Sequence, residues 1–451
     1  MKVNSDFRPG HFRIIDDVAI PRFYGVSVHS AVAPECVDVR RTVLQRVGAS
    51  AGLRGLPPGA RVAVGVGSRG IADLPVLVRA VVDGLKYLGL VPFIVPSMGS
   101  HGEADAGGQT ALLAHLGVTE EAMGAPVLAM MDTVNLGEAV PGVECHMARV
   151  AFEAEATVVI ARVKPHTNFS SDIESGLCKM LAVGLGKYTG AKNAHIYGRK
   201  GLVEYIPLLA RHMIEHANII FGLAVVENAR SRLCVIEGVE ARRMLRMDRM
   251  LLAEAKLQKS TLPFAQLDML VVENIGKNIS GTGMDTKVVG RPGFGDAYGQ
   301  PHINSIVALR VTGASGGNGI GIGIGVADVT TVETLNGLDL EAMWINALTS
   351  CCTERAKLPP AFASERKAVQ AGLKICWQPQ SERVRACVIR STQDLTHMLL
   401  TAPLLEELRQ TRPQLGLELW RDLLPLPFEA ERLRVPWPDG PAAPAAGTRT
   451  L

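Results

Sequence analysis

No C-x-x-C pair occurs anywhere in the chain, and its eight cysteines are scattered apart from the adjacent Cys351-Cys352. That spacing excludes a zinc ribbon and a disulfide framework and leaves reduced, mostly buried thiols. Neither sign of charge dominates: 47 basic against 44 acidic residues give a formal charge of +3. The basic residues are spread along the chain, so there is no nucleic-acid footprint. No apolar run approaches the roughly 18 residues of a membrane span. The opening Met-Lys-Val-Asn-Ser-Asp-Phe-Arg-Pro-Gly carries no apolar signal core, which makes a cytoplasmic protein the expectation. Internal repeats are absent as well.

What remains is globular material in quantity. The 451 residues, 47% hydrophobic and 20% charged, suffice for two or three domains with a large core. Arg61-Val-Ala-Val-Gly-Val-Gly reads as a buried strand, 73–88 as an amphipathic helix and Val91-Pro-Phe-Ile-Val-Pro as a second strand, together a β-α-β unit. The alternation continues with a helix near 105–116, strand 157–163, a helix near 202–216 and strand 219–226. A short strand at 23–28 and a helix around 37–48 precede it. The charged stretch 239–259 reads as a connecting helix, and a second α/β unit begins after Pro263 with strands at 267–273 and 306–311. Gly319-Ile-Gly-Ile-Gly-Ile-Gly325 reads as a strand with one bare face. Helices near 340–352, 364–374 and 393–410 follow. The expected class is α/β, with mostly parallel sheets in two domains, 1–262 and 263–435, and a disordered Pro/Ala/Gly-rich tail over 436–451.

Candidate chemistry gathers at the ends of the predicted strands, where open α/β sheets bind ligands. Gly65-Val-Gly-Ser-Arg-Gly70 matches G-x-G-x-x-G between a strand and a helix, as in a dinucleotide fingerprint. The next strand, however, ends in Pro96-Ser-Met-Gly-Ser-His101 without the acidic residue that would hold a ribose. The loop can still cradle an anion, with Arg69 as a bidentate donor to carboxylate or phosphate. His101 and His166 stand at two strand ends, placed to remove and return a proton on opposite sides of one substrate carbon. Lys179 lies in the small, apolar Gly176-Leu-Cys-Lys-Met-Leu-Ala-Val-Gly-Leu-Gly186, where a lysine is costly unless paired or reactive. His195 has no Cys or His at zinc-ligand spacing. Lys277, in the polar glycine-rich loop 273–285, suits an oxyanion or phosphate.

Ser68-Arg-Gly70, Met98-Gly-Ser-His-Gly102, Arg162-Val-Lys-Pro-His-Thr167, Ile173-Glu-Ser-Gly-Leu-Cys-Lys-Met-Leu181 and Gly276-Lys-Asn-Ile-Ser-Gly-Thr-Gly-Met-Asp285 together resemble the nickel-pincer-nucleotide-dependent lactate racemase superfamily, over roughly 20–390. The resemblance implies two α/β domains with a cofactor cleft between them, and a pyridinium mononucleotide whose two sulfur-containing arms and ring carbon hold nickel, supplied by maturation enzymes. It implies that the ring carbon takes a hydride from Cα of a 2-hydroxy acid, that the resulting 2-keto acid is reduced on either face, and that His101 and His166 serve as acid/base partners. By the same resemblance Lys179 joins a cofactor arm and His195 binds nickel. Ser68 and Gly70 contact the cofactor, Arg69 holds the substrate carboxylate, and Lys277 meets substrate or phosphate. Segment 167–178 departs from lactate racemase, which has a shorter, aromatic and glycine-rich stretch there. Lactate is therefore not carried over as the substrate, and Asp172, Glu174 and Ser175 become candidates for recognising hydroxyls of a larger polyhydroxy acid. The expectation is a 2-hydroxy-acid racemase or epimerase. The alternatives are an NAD-type dehydrogenase resting on Gly65–Gly70, and a non-catalytic anion- or metal-binding protein.

Overall fold

Strand β1 (Phe23–His29) forms where its apolar run predicts it, but it does not join the sheet that follows it in sequence. It pairs antiparallel on both sides, with Asp394–Leu400 and with Gly416–Leu424. The computed structural model describes residues 8, 12–29, 32–68, 70–167, 169–291, 300–322, 327–349, 351–438 and 449–450. The chain divides into two units, Val32–Lys259, and Met1–Ala31 with Ser260–Leu451. The expected first domain of 1–262 thus loses its N-terminal segment, because the backbone groups of β1 find their partners in strands from the far end of the chain.

In the unit Val32–Lys259, strands β2 (Arg61–Val66), β3 (Val91–Pro96), β6 (Ala156–Arg162), β7 (Ile219–Glu227) and β8 (Leu233–Glu240) form one sheet in the order β3-β2-β6-β7-β8. All neighbours are parallel except β8, which returns antiparallel along β7. The strands β4 (Thr133–Val140) and β5 (Val143–Ala148) make a separate hairpin. Near-continuous apolar runs such as Val62-Ala-Val64 suit strands buried on both faces. The helix Leu74–Tyr87 closes the first β-α-β unit and buries Leu77, Val78, Val81 and Leu85 completely. That spacing is one helical face, and each such side chain is worth about 1.5–3 kcal/mol of burial. The expected connecting helix 239–259 is shorter at its start: β8 runs to Glu240, and the helix spans Met244–Gln258.

In the other unit, β9 (Gln266–Ile275), β10 (His302–Val311), β13 (Ala386–Ser391), β14 (Asp394–Leu400) and β15 (Gly416–Leu424) join β1 in the order β10-β9-β13-β14-β1-β15, with Arg449–Thr450 at the edge. This sheet is parallel across β10-β9-β13 and antiparallel beyond. The short β11 (Thr330–Thr331) and β12 (Ala361–Phe362) pair apart from it. The protein is therefore α/β, with two main mixed sheets.

Two expectations fail here. Residues 394–400 are a strand, and the helix begins only at Ala402, because Asp394–Leu400 is taken up between β13 and β1. Gly319–Ile322 is a turn with Gly321 at φ 94, where a Cβ would stand 1.7 Å from the Thr282 carbonyl; residues 323–325 lie outside the described ones. Trp437, inside the expected tail, donates its Nε1–H to Glu273 at 2.6 Å. Among the described residues no helix is long and apolar enough to cross a membrane.

Candidate functional site

Because β3, β2 and β6 lie side by side and parallel, the loops that follow them leave the same edge of the sheet. These loops carry Ser68 and Gly70, then His101, then His166. Arg69 lies outside the described residues. The loop after β2 is anchored behind it by Glu227, which accepts from the Ala72 N–H at 2.8 Å and pairs with Arg162. A Cβ on Gly65 would stand 2.7 Å from Ser97 Oγ, and one on Gly67 would stand 2.8 Å from Met180 Cε. Close packing thus accounts for these two glycines without a dinucleotide.

His101 Nδ1 is hydrogen-bonded to Ser68 Oγ, so the second loop leans on the first. The turn that presents it is tight: Gly99, Gly102, Glu103 and Ala104 all have φ between 55 and 64. Non-glycine residues pay for that conformation, and such strain collects at functional sites. Asp105 ends the turn by accepting from the Gly108 N–H at 3.0 Å, capping the helix Ala106–His115.

His166 is fixed differently. Its backbone N–H donates to Glu174 Oε2 at 2.6 Å, and its ring stacks on buried Phe169 with centroids 4.5 Å apart. Glu174 is itself buried; its other oxygen accepts from the Ser171 N–H at 3.2 Å and pairs with Lys256 at 2.9 Å. The carboxylate therefore holds the loop closed, which displaces Glu174 from a part in recognising substrate hydroxyls. Ser175 exchanges backbone hydrogen bonds with Lys164, while Asp172 is exposed. Replacing Glu174 with alanine orphans two N–H groups and is expected to cost about 2–3 kcal/mol. A urea midpoint that does not move would refute this account of the loop.

Lys179 follows a helix start at Leu177 and Cys178 whose N–H groups donate to buried Asp248, at 2.9 and 2.8 Å. Burial raises the Asp248 pKa, against the lowering pull of those two N–H donors. Immediately after Lys179 the chain widens into a π-helix, Met180–Leu185, a form common at functional sites. His195 ends the helix Lys187–His195, with Nδ1 2.6 Å from the Ala191 carbonyl oxygen. A carbonyl only accepts, so Nδ1 carries the proton and Nε2 keeps its lone pair. Burial pushes the His195 pKa down and the Lys179 ammonium adds to that, while the Ala191 bond opposes both. The Ala191 bond thus selects the tautomer whose Nε2 can bind a metal. Among the described residues no group of three or more His, Cys, Asp or Glu side chains could hold a metal ion.

Lys277 lies in the other unit, where its ammonium donates to the Gly281 carbonyl at 3.1 Å and contacts Asn346. Within Val32–Lys259, Ser68 is hydrogen-bonded to His101, and the Lys179 charge acts on His195.

Lys187 and Gln109 did not stand out in the sequence. Both are completely buried. The signal applied to Lys179, a lysine beside a small apolar stretch, applies equally to Lys187. Lys187 Nζ donates to the Pro96 carbonyl at 2.6 Å and to Gln109 Oε1 at 3.0 Å. Burial lowers its pKa from 10.5 to about 8. A depressed folded-state pKa means that its contribution to stability is full above 10.5 and is lost as pH falls through about 8. The wild type is therefore expected to gain stability over Lys187→Met as pH rises across that window. Parallel pH profiles of the two urea midpoints would rule this out.

No protein-family model and no curated protein matches the chain. Among solved structures, it is similar to the lactate racemase apoprotein from Thermoanaerobacterium thermosaccharolyticum at 14% identity and TM-score 0.49, covering 79% of this chain and 92% of that one. It is also similar to a protein from Thermotoga maritima at 14% identity and TM-score 0.43, covering 61% of this chain and 71% of that one.

Proposed function

We propose that this protein is an isomerase, a racemase or epimerase of a 2-hydroxy acid, working with a nickel-pincer nucleotide received from maturation enzymes. One observation carries the reading: the Ala191 carbonyl holds the proton on His195 Nδ1 and leaves Nε2 for a metal, in the same unit as two histidines on the loops that follow β3 and β6, the strands flanking β2. That donor set fits the group. His195 would ligate its nickel, Lys179 would join one of its arms, and Ser68 and Gly70 would contact the nucleotide. When bound, such a cofactor accepts and returns the hydride at the substrate's Cα. The chain's own work is proton handling and orientation. Arg69 would hold the carboxylate. His101, braced by Ser68, takes the hydroxyl proton on one face, and His166, stacked on Phe169, does so on the other. Loss of a hydride and a proton gives the 2-keto acid; their return to the opposite face inverts the carbon.

The test is to purify the protein from cells that co-express the maturation enzymes, measure nickel and nucleotide mass, and follow inversion across a panel of Cα-deuterated 2-hydroxy acids. Nickel with nucleotide, and deuterium that stays on carbon in the inverted product, are expected. Absence of both nickel and nucleotide, or exchange of that deuterium with water, would overturn the reading.

A further inference from the structure

The Lys187–Gln109 pair joins two parts of the site that the proton and metal chemistry leave unconnected. Lys187 opens the helix that ends in His195, and Gln109 lies on the helix that follows the His101 turn. An ammonium only donates, so Gln109 must turn Oε1 toward Lys187. Its Nε2 then donates to the carbonyls of Gly99 and His101, at 3.0 and 3.1 Å. The amide has one orientation, and every polar group named here has a partner. Lys187 holds the end of β3 as well, through the Pro96 carbonyl, so the His101 turn is gripped at both its start and its centre. The Gly99 N–H adds a bond to the Gly184 carbonyl at 3.2 Å, tying the turn to the π-helix after Lys179. Lys187 itself sits at φ 55, a left-handed conformation that is unfavourable for a non-glycine residue. A buried amine is costly too, and an apolar side chain would fill the same space. For packing alone, lysine is a poor choice at this position.

We propose that Lys187 and Gln109 are positioning residues: a buried relay that sets the place of His101 relative to the segment carrying Lys179 and His195. This rests on the reading of His101 as a proton-transfer group, and it adds the device that aims it. Neither residue touches substrate in this scheme.

The test uses holoprotein made with the maturation enzymes, in the variants Lys187→Met, Gln109→Leu, the double variant, and the isosteric Gln109→Glu, which keeps a partner for Lys187 but turns a carboxylate oxygen on the two carbonyls. Each single variant is expected to lower kcat about 10–100-fold, the effect of a misplaced catalytic group, with KM within about threefold and nickel content unchanged. The double variant is expected to be no worse than the poorer single one, because both act through one chain. With 15N-labelled histidine, the His101 ring signals shift in every variant while those of His166 stay. Unchanged kcat and His101 signals would overturn the proposal. So would multiplying effects in the double variant, or joint disturbance of His101, His166 and nickel content, which would mark a merely structural role. Should no hydroxy acid turn over in the wild type, the proposed function fails alone; the His101 signals of the apoprotein still decide whether the relay exists.

Discussion

His195→Ala, produced beside the maturation enzymes, is expected to carry little nickel and to lose turnover below detection. The argument is geometric. The Ala191 carbonyl fixes the proton on Nδ1 at 2.6 Å, so Nε2 is the only ring nitrogen left to bind. Burial lowers the ring's pKa and the Lys179 charge adds to that, against the Ala191 bond, which favours the metal over a proton at Nε2. Loss of a supporting partner to a metal ligand already costs about 10–100-fold in affinity, and removal of the ligand itself is expected to cost more. Metal analysis reads the outcome directly. Nucleotide mass, measured in parallel, separates two roles: with Lys179 as the attachment point, the variant keeps nucleotide while losing nickel. A variant with wild-type nickel would remove His195 from the site.

How much of this was open to the sequence depends on the range of the interaction. The β2-helix-β3 unit was legible because an apolar run, a glycine-rich turn and an amphipathic helix are local patterns, and its loops place Ser68 and His101 on the edge that His166 reaches from β6. The tautomer of His195 was not legible: a lone histidine lacking nearby cysteine or histidine reads as nothing in particular, and only the resemblance singled it out. Its bond to Ala191 supplies the physical reason. Glu174 read as a polar loop residue facing substrate, and it is buried because Lys256, 82 positions further on, closes over it. Lys187 has no local signature because its partner Gln109 lies 78 residues away. The segment 394–400 fits either a helix or a strand, and its neighbours in the sheet, one of them β1, decide the matter. These residues owe their roles to partners that no local window contains.

The two histidines divide the reaction in a way that single replacements can expose. At chemical equilibrium the enantiomers are equally stable, so steady-state kcat/KM must fall equally in both directions for any variant, and steady-state rates cannot tell which histidine serves which face. Single-turnover experiments can. In the proposed scheme His101 and His166 each take the hydroxyl proton from one enantiomer, and removing either leaves the other half-reaction intact. His101→Asn is thus expected to lower the single-turnover rate of 2-keto acid formation from one enantiomer by about 10²–10⁴, the usual worth of a general base, with little change for its mirror image. His166→Asn is expected to show the opposite preference, and the double variant to lose both. Nickel and nucleotide content stay at wild-type levels throughout, since neither ring is assigned to the cofactor. Ser68→Ala, which removes the hydroxyl bonded to His101 Nδ1, is expected to weaken the same enantiomer as His101→Asn by a smaller factor. If both histidine variants lose the same enantiomer, one ring does all the proton transfer and the two-base mechanism falls.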